Sequence, residues 1–140
     1  MDVKELKIGN WLTSSQWGGF FQLEGIEKTK KGFDLKIKGY VHSYIKGEYF
    51  DIQPIPLTEE ILILNCNFNK DYKHGFIGIE VEMNDGMTID FILVEPFSMG
   101  KWQNFYAFLY DNYKFCKLEY LHDLENLFYD LYKKELEITI

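Results

Sequence analysis

The sequence predicts an α+β fold, mostly antiparallel: a curved sheet, SH3-like in its N-terminal strands, with two helices near 58–65 and 122–134. Three observations carry this. The first fifty or so residues hold four short extended stretches separated by turn residues. "GFIGIEVEMNDGMTIDFILVEPF" alternates apolar and polar residues on both sides of Asn84-Asp85-Gly86. Two segments, opening at Thr58 and near His122, switch to helical spacing behind acidic first turns.

In order along the chain, "LKIGNWL" (6–12) sets Leu6, Ile8 and Asn10 against Lys7, Gly9 and Trp11, an edge-type strand. Gly18 and Gly19 form a loop joint behind Trp17. "FFQLEGIE" and "GFDLKIKGY" make a hairpin around "KTKKG", with Phe33, Leu35 and Ile37 on one face. "GEYFDIQPIP" adds an extended piece that Pro54 and Pro56 end. Thr58 is the N-cap of the first helix, Glu59 and Glu60 sit at its positive end, Ile61, Leu62 and Leu64 supply its buried face, and it ends near Asn65.

Register can be argued for the next hairpin. A two-residue Asp-Gly turn would set Glu82 opposite Ile89 and mix the faces. A three-residue loop with Gly86 left-handed sets Met83 against Met87 and Val81 against Ile89. "EPFSMGKWQ" is an exposed loop that carries Trp102. "NFYAFLY" and "YKFCKLEYL" pair around Asp111-Asn112, setting Tyr110 against Tyr113, Phe108 against Phe115 and Ala107 against Cys116. The last helix buries Leu121, Leu124, Leu127, Phe128 and Leu131, and leaves His122, Asp123, Glu125, Asn126 and Asp130 off the stripe. "ELEITI" alternates like a closing strand.

At 140 residues the chain is expected to be a single domain. A possible seam at Gln53–Leu57 divides a strand-rich 1–56 from a 57–140 part with helices and hairpins. All 15 basic residues are Lys, and the net charge is −7. Residues 1–50 carry 8 Lys and 6 acids, and the rest carries 7 Lys and 16 acids, so the halves stand at +2 and −9. Without Arg's bidentate fork and with an acidic whole, the chain is not expected to bind duplex nucleic acid. No apolar run reaches membrane-spanning length and no apolar signal core opens the chain, so a cytoplasmic protein with no membrane contact is expected. Cys66 and Cys116 lie in no paired or zinc-type spacing and suit reduced, buried positions.

Four sets of residues are candidates for function. His122 at the head of the last helix, with Glu125 or Asn126 on its side one turn on, could serve as ligand or base; the plainer role is a hydrogen-bonding residue beside the cap. Glu80, Glu82 and Asp90 share one hairpin face and are a weak hard-cation set; the plainer role is a solvated face, and no metal or other cofactor is expected. Lys28, Lys30 and Lys31, near Trp11, Trp17, Phe20, Tyr40 and Tyr44, could hold a nucleotide or single strand, or simply protect a hairpin tip. Trp17 and Trp102, each beside glycine, could anchor a protein partner or cover the chain's own core. No P-loop, nucleophile elbow, dinucleotide fingerprint or HExxH occurs, which weighs against an enzyme.

"DIQPIPLTEEILIL" (51–64) and "EYLHDLENLFYDLYKKELEI" (119–138) resemble a family of small uncharacterised proteins of Bacteroidota and their phages. Its members pair a "PIPLTEEIL" block with a "YVHQLQNLYFALTGKELEI"-like block. The matching positions include Pro54 to Glu60, then Tyr120, His122, Leu124, Asn126, Leu127, Leu131, Glu135 and Leu136, while Leu121, Glu125 and Lys133 depart. Where Lys133 stands the family often has Gly, a helix C-cap, so the helix is expected to run longer here. The resemblance implies a phage or prophage setting and no particular activity. The leading expectation is therefore a non-catalytic accessory protein of a phage or mobile element. It would bind a host or virion protein through aromatic loops and an acidic face, with homo-oligomers open. The alternatives are a nucleotide-sequestering protein using the Lys–aromatic surface, and a small hydrolase using His122.

Overall fold

A computed structural model describes residues 3–14, 18–38, 40–45, 52–95, 97–98, 101–102, 104–109 and 114–140. The chain is an α+β protein, with antiparallel sheets and two α-helices among the described residues. It divides into two compact units. The first takes Met1–Pro56 and Tyr120–Leu127, and the second takes Leu57–Glu119 and Phe128–Ile140.

In the first unit a 3-10 turn, Val3–Glu5, precedes strands β1 (Trp11–Ser14), β2 (Phe21–Lys28), β3 (Gly32–Ile37), β4 (Tyr40–Ile45) and β5 (Ile52–Pro54). Their order in the sheet is β4-β3-β2-β1-β5, antiparallel throughout. Val3, Leu6, Leu12, Phe21, Leu23, Leu35, Ile37 and Ile52 form its core. The expected hairpin around "KTKKG" is present, closed by Thr29 N–H donating to Gly32 O. The strand expected over 6–12 begins only at Trp11. Gly9 sits at φ 98°, where extended backbone cannot continue, and Leu6 is buried while Ile8 is 67% exposed. β4 departs from the sequence expectation, in which Tyr40 ends the preceding strand.

The second unit holds α1 (Glu59–Leu64) and β6 (Asn69–Lys73), β7 (Phe76–Glu82), β8 (Thr88–Val94), β9 (Phe97–Ser98), β10 (Lys101–Trp102), β11 (Phe105–Leu109) and β12 (Lys114–Leu118). The main sheet runs β12-β11-β8-β7-β6, and β9 pairs with β10 as a separate two-stranded ladder within the stretch expected to be a loop. α1 is capped as expected: Thr58 Oγ1 accepts from Ile61 N–H, and Asn65 is the C-cap. Its buried face is narrower than expected, since Leu62 is fully buried while Leu64 is 62% exposed.

The argued registers hold. Val81 faces Ile89, Met83 N–H donates to Met87 O, and Gly86 is left-handed at φ 82°. Phe108 faces Phe115 and Ala107 faces Cys116; the Tyr110–Tyr113 pair lies outside the described residues. β6 escaped the sequence because its side chains are nearly all exposed and polar. It joins β7 through His74-Gly75, both at positive φ, the two-residue hairpin turn whose twist suits the strands.

These registers divide the sheet's side chains. Val81, Phe91, Leu93, Phe105, Ala107 and Leu118 share one face and are all buried. Glu80, Glu82, Asp90, Ile92, Val94, Tyr106, Phe108 and Phe115 lie on the other. Gly78, also on that second face, is buried beneath the Tyr72 ring: a Cβ there would stand 2.8 Å from Tyr72 Cδ2 and 2.9 Å from the Phe91 carbonyl oxygen. The ring could swing away but the carbonyl belongs to the ladder. Gly78→Ala is therefore expected to lose about 1–3 kcal/mol, as overpacked sites do. Urea unfolding checks this, and a loss under about 0.5 kcal/mol contradicts the packing.

α2 spans Leu121–Tyr132, with Leu121 to Leu127 in the first unit and the rest in the second. It does not run longer at Lys133, which takes φ 55° and so adopts the left-handed C-cap conformation that Gly adopts without strain. "ELEITI" forms no strand. Thr139 instead exchanges hydrogen bonds with Asn65, donating to its carbonyl at 2.7 Å and accepting from its side-chain amide at 2.7 Å. Leu121, Leu124 and Phe128 are buried, whereas Leu131 is 37% exposed. Among the described residues no helix is long and apolar enough to cross a membrane.

Candidate functional site around His122

The head of α2 is fixed from several directions. Leu121 N–H donates to Ile55 O at 2.8 Å, and Pro56 bridges Tyr120. Asp123, the third helical residue, reaches back so that its Oδ2 accepts from Tyr120 N–H at 2.9 Å, the carboxylate half of a capping box. One turn on, Glu125 Oε2 accepts from Trp11 N–H at 3.1 Å. Asn126 joins a chain of amides. Its Nδ2 donates to Glu5 O at 2.9 Å, its Oδ1 accepts from Asn10 Nδ2 at 2.9 Å, and Asn10 Oδ1 accepts from Lys7 N–H at 2.7 Å. Asn126 thus fastens the N-terminal turn to the helix, and Glu125 fastens the start of β1.

His122 occupies the second position of the helix, and contrary to its expected place off the buried stripe it is only 1% exposed. Its ring stacks on Tyr120, centroids 5.6 Å apart and planes 12° apart. Neither ring nitrogen makes a hydrogen bond. Asp123 Oδ1 stands 3.5 Å from Nε2, a distance compatible with ionic attraction but without hydrogen-bond alignment. Burial pushes the imidazole below its ordinary pKa, against the opposing pull of Asp123 and Glu5. A buried neutral imidazole with both nitrogens unsatisfied is expensive, about 1–3 kcal/mol for each group left without a partner.

Glu5, exposed at the end of the 3-10 turn, completes the surroundings. One donor atom each from Glu5, His122 and Asp123 lies within 4.8 Å of the others, the one such group of three His, Cys, Asp or Glu among the described residues. Glu5 was not singled out from the sequence. Nothing local marks it, because only the folded chain brings it beside residues near the other end.

The remaining candidates are more dispersed. Glu80 faces Asp90 in the ladder as expected, but the Asp90 carboxylate is engaged by Lys73 Nζ and the Tyr72 hydroxyl, both at 2.6 Å. These two bonds, Lys73 first, hold its carboxyl below the usual carboxylate range. The like-charge pair is thus relieved by a cation from the chain itself. Lys28, Lys30 and Lys31 are exposed at the β2–β3 turn, and just past the end of β3 Lys38 Nζ lies 4.4 Å from the centroid of the Phe21 ring. Trp17 and the side chain of Trp102 fall outside the described residues. Neither Cys66 nor Cys116 forms a disulfide; the first is buried and the second half-buried.

No family model matches the chain, and neither a search of curated proteins nor a search of solved structures returns a match.

Proposed function

We propose that the chain is a non-catalytic binding protein of a phage or mobile element, working in the bacterial cytosol by docking a protein partner. The observation that carries this reading is the sheet face turned away from Phe91. One half of that face is apolar: Ile92, Val94, Tyr106 and Phe108 are half-buried, and Phe115 is 58% exposed. The Phe108 and Phe115 rings lie 5.3 Å apart. The other half carries Glu80, Glu82 and Asp90. The exposed Phe115 and its half-buried aromatic neighbours, set beside Glu80 and Glu82, suit a partner with an apolar anchor and basic residues near it; Lys117 opposite Tyr106 and Lys73 on Asp90 offset part of the negative charge. The order β4-β3-β2-β1-β5 in the first unit, a meander with its last strand returned beside the first, supports the SH3-like character within this proposal.

Phe115→Glu tests it. Phe115 is exposed, so the variant should fold, and losing a hot-spot contact of about 2 kcal/mol or more weakens binding at least about thirtyfold. A host protein retained by the wild-type chain and lost with Phe115→Glu is the expected result. No specific protein retained by the wild type, or equal retention by the variant, removes this reading.

A further inference from the structure

The geometry points to a binding site for a divalent transition-metal cation of the zinc class, formed by Glu5, His122 and Asp123. It uses none of the residues of the docking face, so either reading can fail alone.

The chemistry of the donor set selects the ion. One imidazole with two carboxylates is a mixed nitrogen and oxygen set that suits zinc and its neighbours. Calcium would require six to eight oxygens, and magnesium favours oxygen and water. Three protein ligands leave a fourth position for water or a partner's group. In a tetrahedral site of ordinary bond length, donors stand about 3.4 Å apart. His122 Nε2 and Asp123 Oδ1 already stand 3.5 Å apart, and all three donors lie within 4.8 Å. Glu5 is exposed, so its side chain can close the remaining distance by rotation.

A second observation points to a ligand independently of the carboxylates. The imidazole is 1% exposed and both of its nitrogens lack a hydrogen-bond partner, an arrangement seldom left without compensation. A cation on Nε2 supplies a partner to that one of the two nitrogens. The supporting contacts are those that orient ligands elsewhere. Tyr120 N–H holds Asp123 Oδ2, leaving Oδ1 on the His122 side, and Asn126 Nδ2 holds the Glu5 carbonyl. The positive end of the α2 dipole opposes a cation here, and two full carboxylate charges outweigh that partial one.

The test is titration of the full chain, first stripped with chelator, with Zn²⁺ by calorimetry and with Co²⁺ by visible absorption, with Mg²⁺ and Ca²⁺ as comparison ions. Saturable binding of one Zn²⁺ per chain is expected, weakened by at least tenfold in Glu5→Gln and abolished in His122→Gln. Glu5→Gln alters only an exposed side chain, so it decides the matter even if His122→Gln fails to fold. Circular dichroism confirms its fold. Four results overturn the site: no saturable Zn²⁺ binding below millimolar ion, a Glu5→Gln affinity less than tenfold weaker, Mg²⁺ or Ca²⁺ binding as tight as Zn²⁺, or a thiolate-to-cobalt charge-transfer band, which would place the ion on Cys66 or Cys116.

Discussion

Phe91→Ala is expected to destabilise the protein by about 3–5 kcal/mol, the range for truncating a buried aromatic. Phe91 is 1% exposed, in the middle of β8. Three rings meet it edge-on: Phe68 at 6.0 Å, Phe128 at 5.8 Å and Tyr132 at 5.8 Å between centroids. Phe128 and Tyr132 also contact each other at 5.0 Å, so the ring is the centre of a cluster joining sheet and helix. Edge-to-face pairs add about 0.5–1.5 kcal/mol each beyond area burial. Collapse around the cavity is hindered because β8 is held by ladders on both sides. Phe91→Leu separates the two contributions: it keeps most of the apolar volume and loses the ring edges, so it should fall between wild type and Phe91→Ala. Against a usual total of about 5–15 kcal/mol, the alanine change consumes a large share. Urea unfolding followed by circular dichroism measures both, and a Phe91→Ala loss below about 1 kcal/mol would show that the cluster is not the core of its unit.

The same cluster marks how far local reasoning reaches. The β7–β8 and β11–β12 registers could be argued from the sequence because a hairpin is a local structure. Turn length, face matching and the positive φ of Gly86 leave one solution. Thr58 was equally legible, since a cap acts within one turn. Elements defined by distant partners were not. β6 carries no alternation and is a strand because β7 offers it an edge. The terminal "ELEITI" has the alternation but finds Asn65 rather than a strand to pair with. The expected extension of α2 failed because a Lys can accept the left-handed conformation when the surrounding fold requires it. His122 was expected off the buried stripe and lies inside it. A helical wheel ranks residues by polarity, whereas the chain packed against the helix determines what is buried. Glu5, separated from His122 by nearly the whole sequence, was beyond any spacing argument.

That junction sets the second large effect. Asn10→Ala is expected to lose about 2–4 kcal/mol, although it removes only a small side chain. Asn10 is 4% exposed, and its amide serves two ends at once, accepting from Lys7 N–H and donating to Asn126 Oδ1. Alanine removes a hydrogen bond from each, and because both groups are only partly buried each loss falls toward the lower end of about 1–3 kcal/mol. Asn126→Ala removes the next link and the donor to the Glu5 carbonyl as well. If the amides act as one chain, the double variant Asn10→Ala, Asn126→Ala should lose less than the sum of the singles, by about 1 kcal/mol, because the second deletion removes a group the first had already stranded. Asn10→Asp sharpens the test. It is nearly isosteric and keeps an acceptor for Lys7, but sets a carboxylate oxygen against Asn126 Oδ1. Asn126 could turn its amide to donate there only by presenting an oxygen to the Glu5 carbonyl. Asn10→Asp should therefore recover only part of the loss at neutral pH, and additive singles measured by urea unfolding would refute the chain. The network also bears on the carboxylate it anchors: Asn126 holds the Glu5 backbone beside His122, so Asn126→Ala should loosen the Glu5–His122–Asp123 group without removing any of its donor atoms.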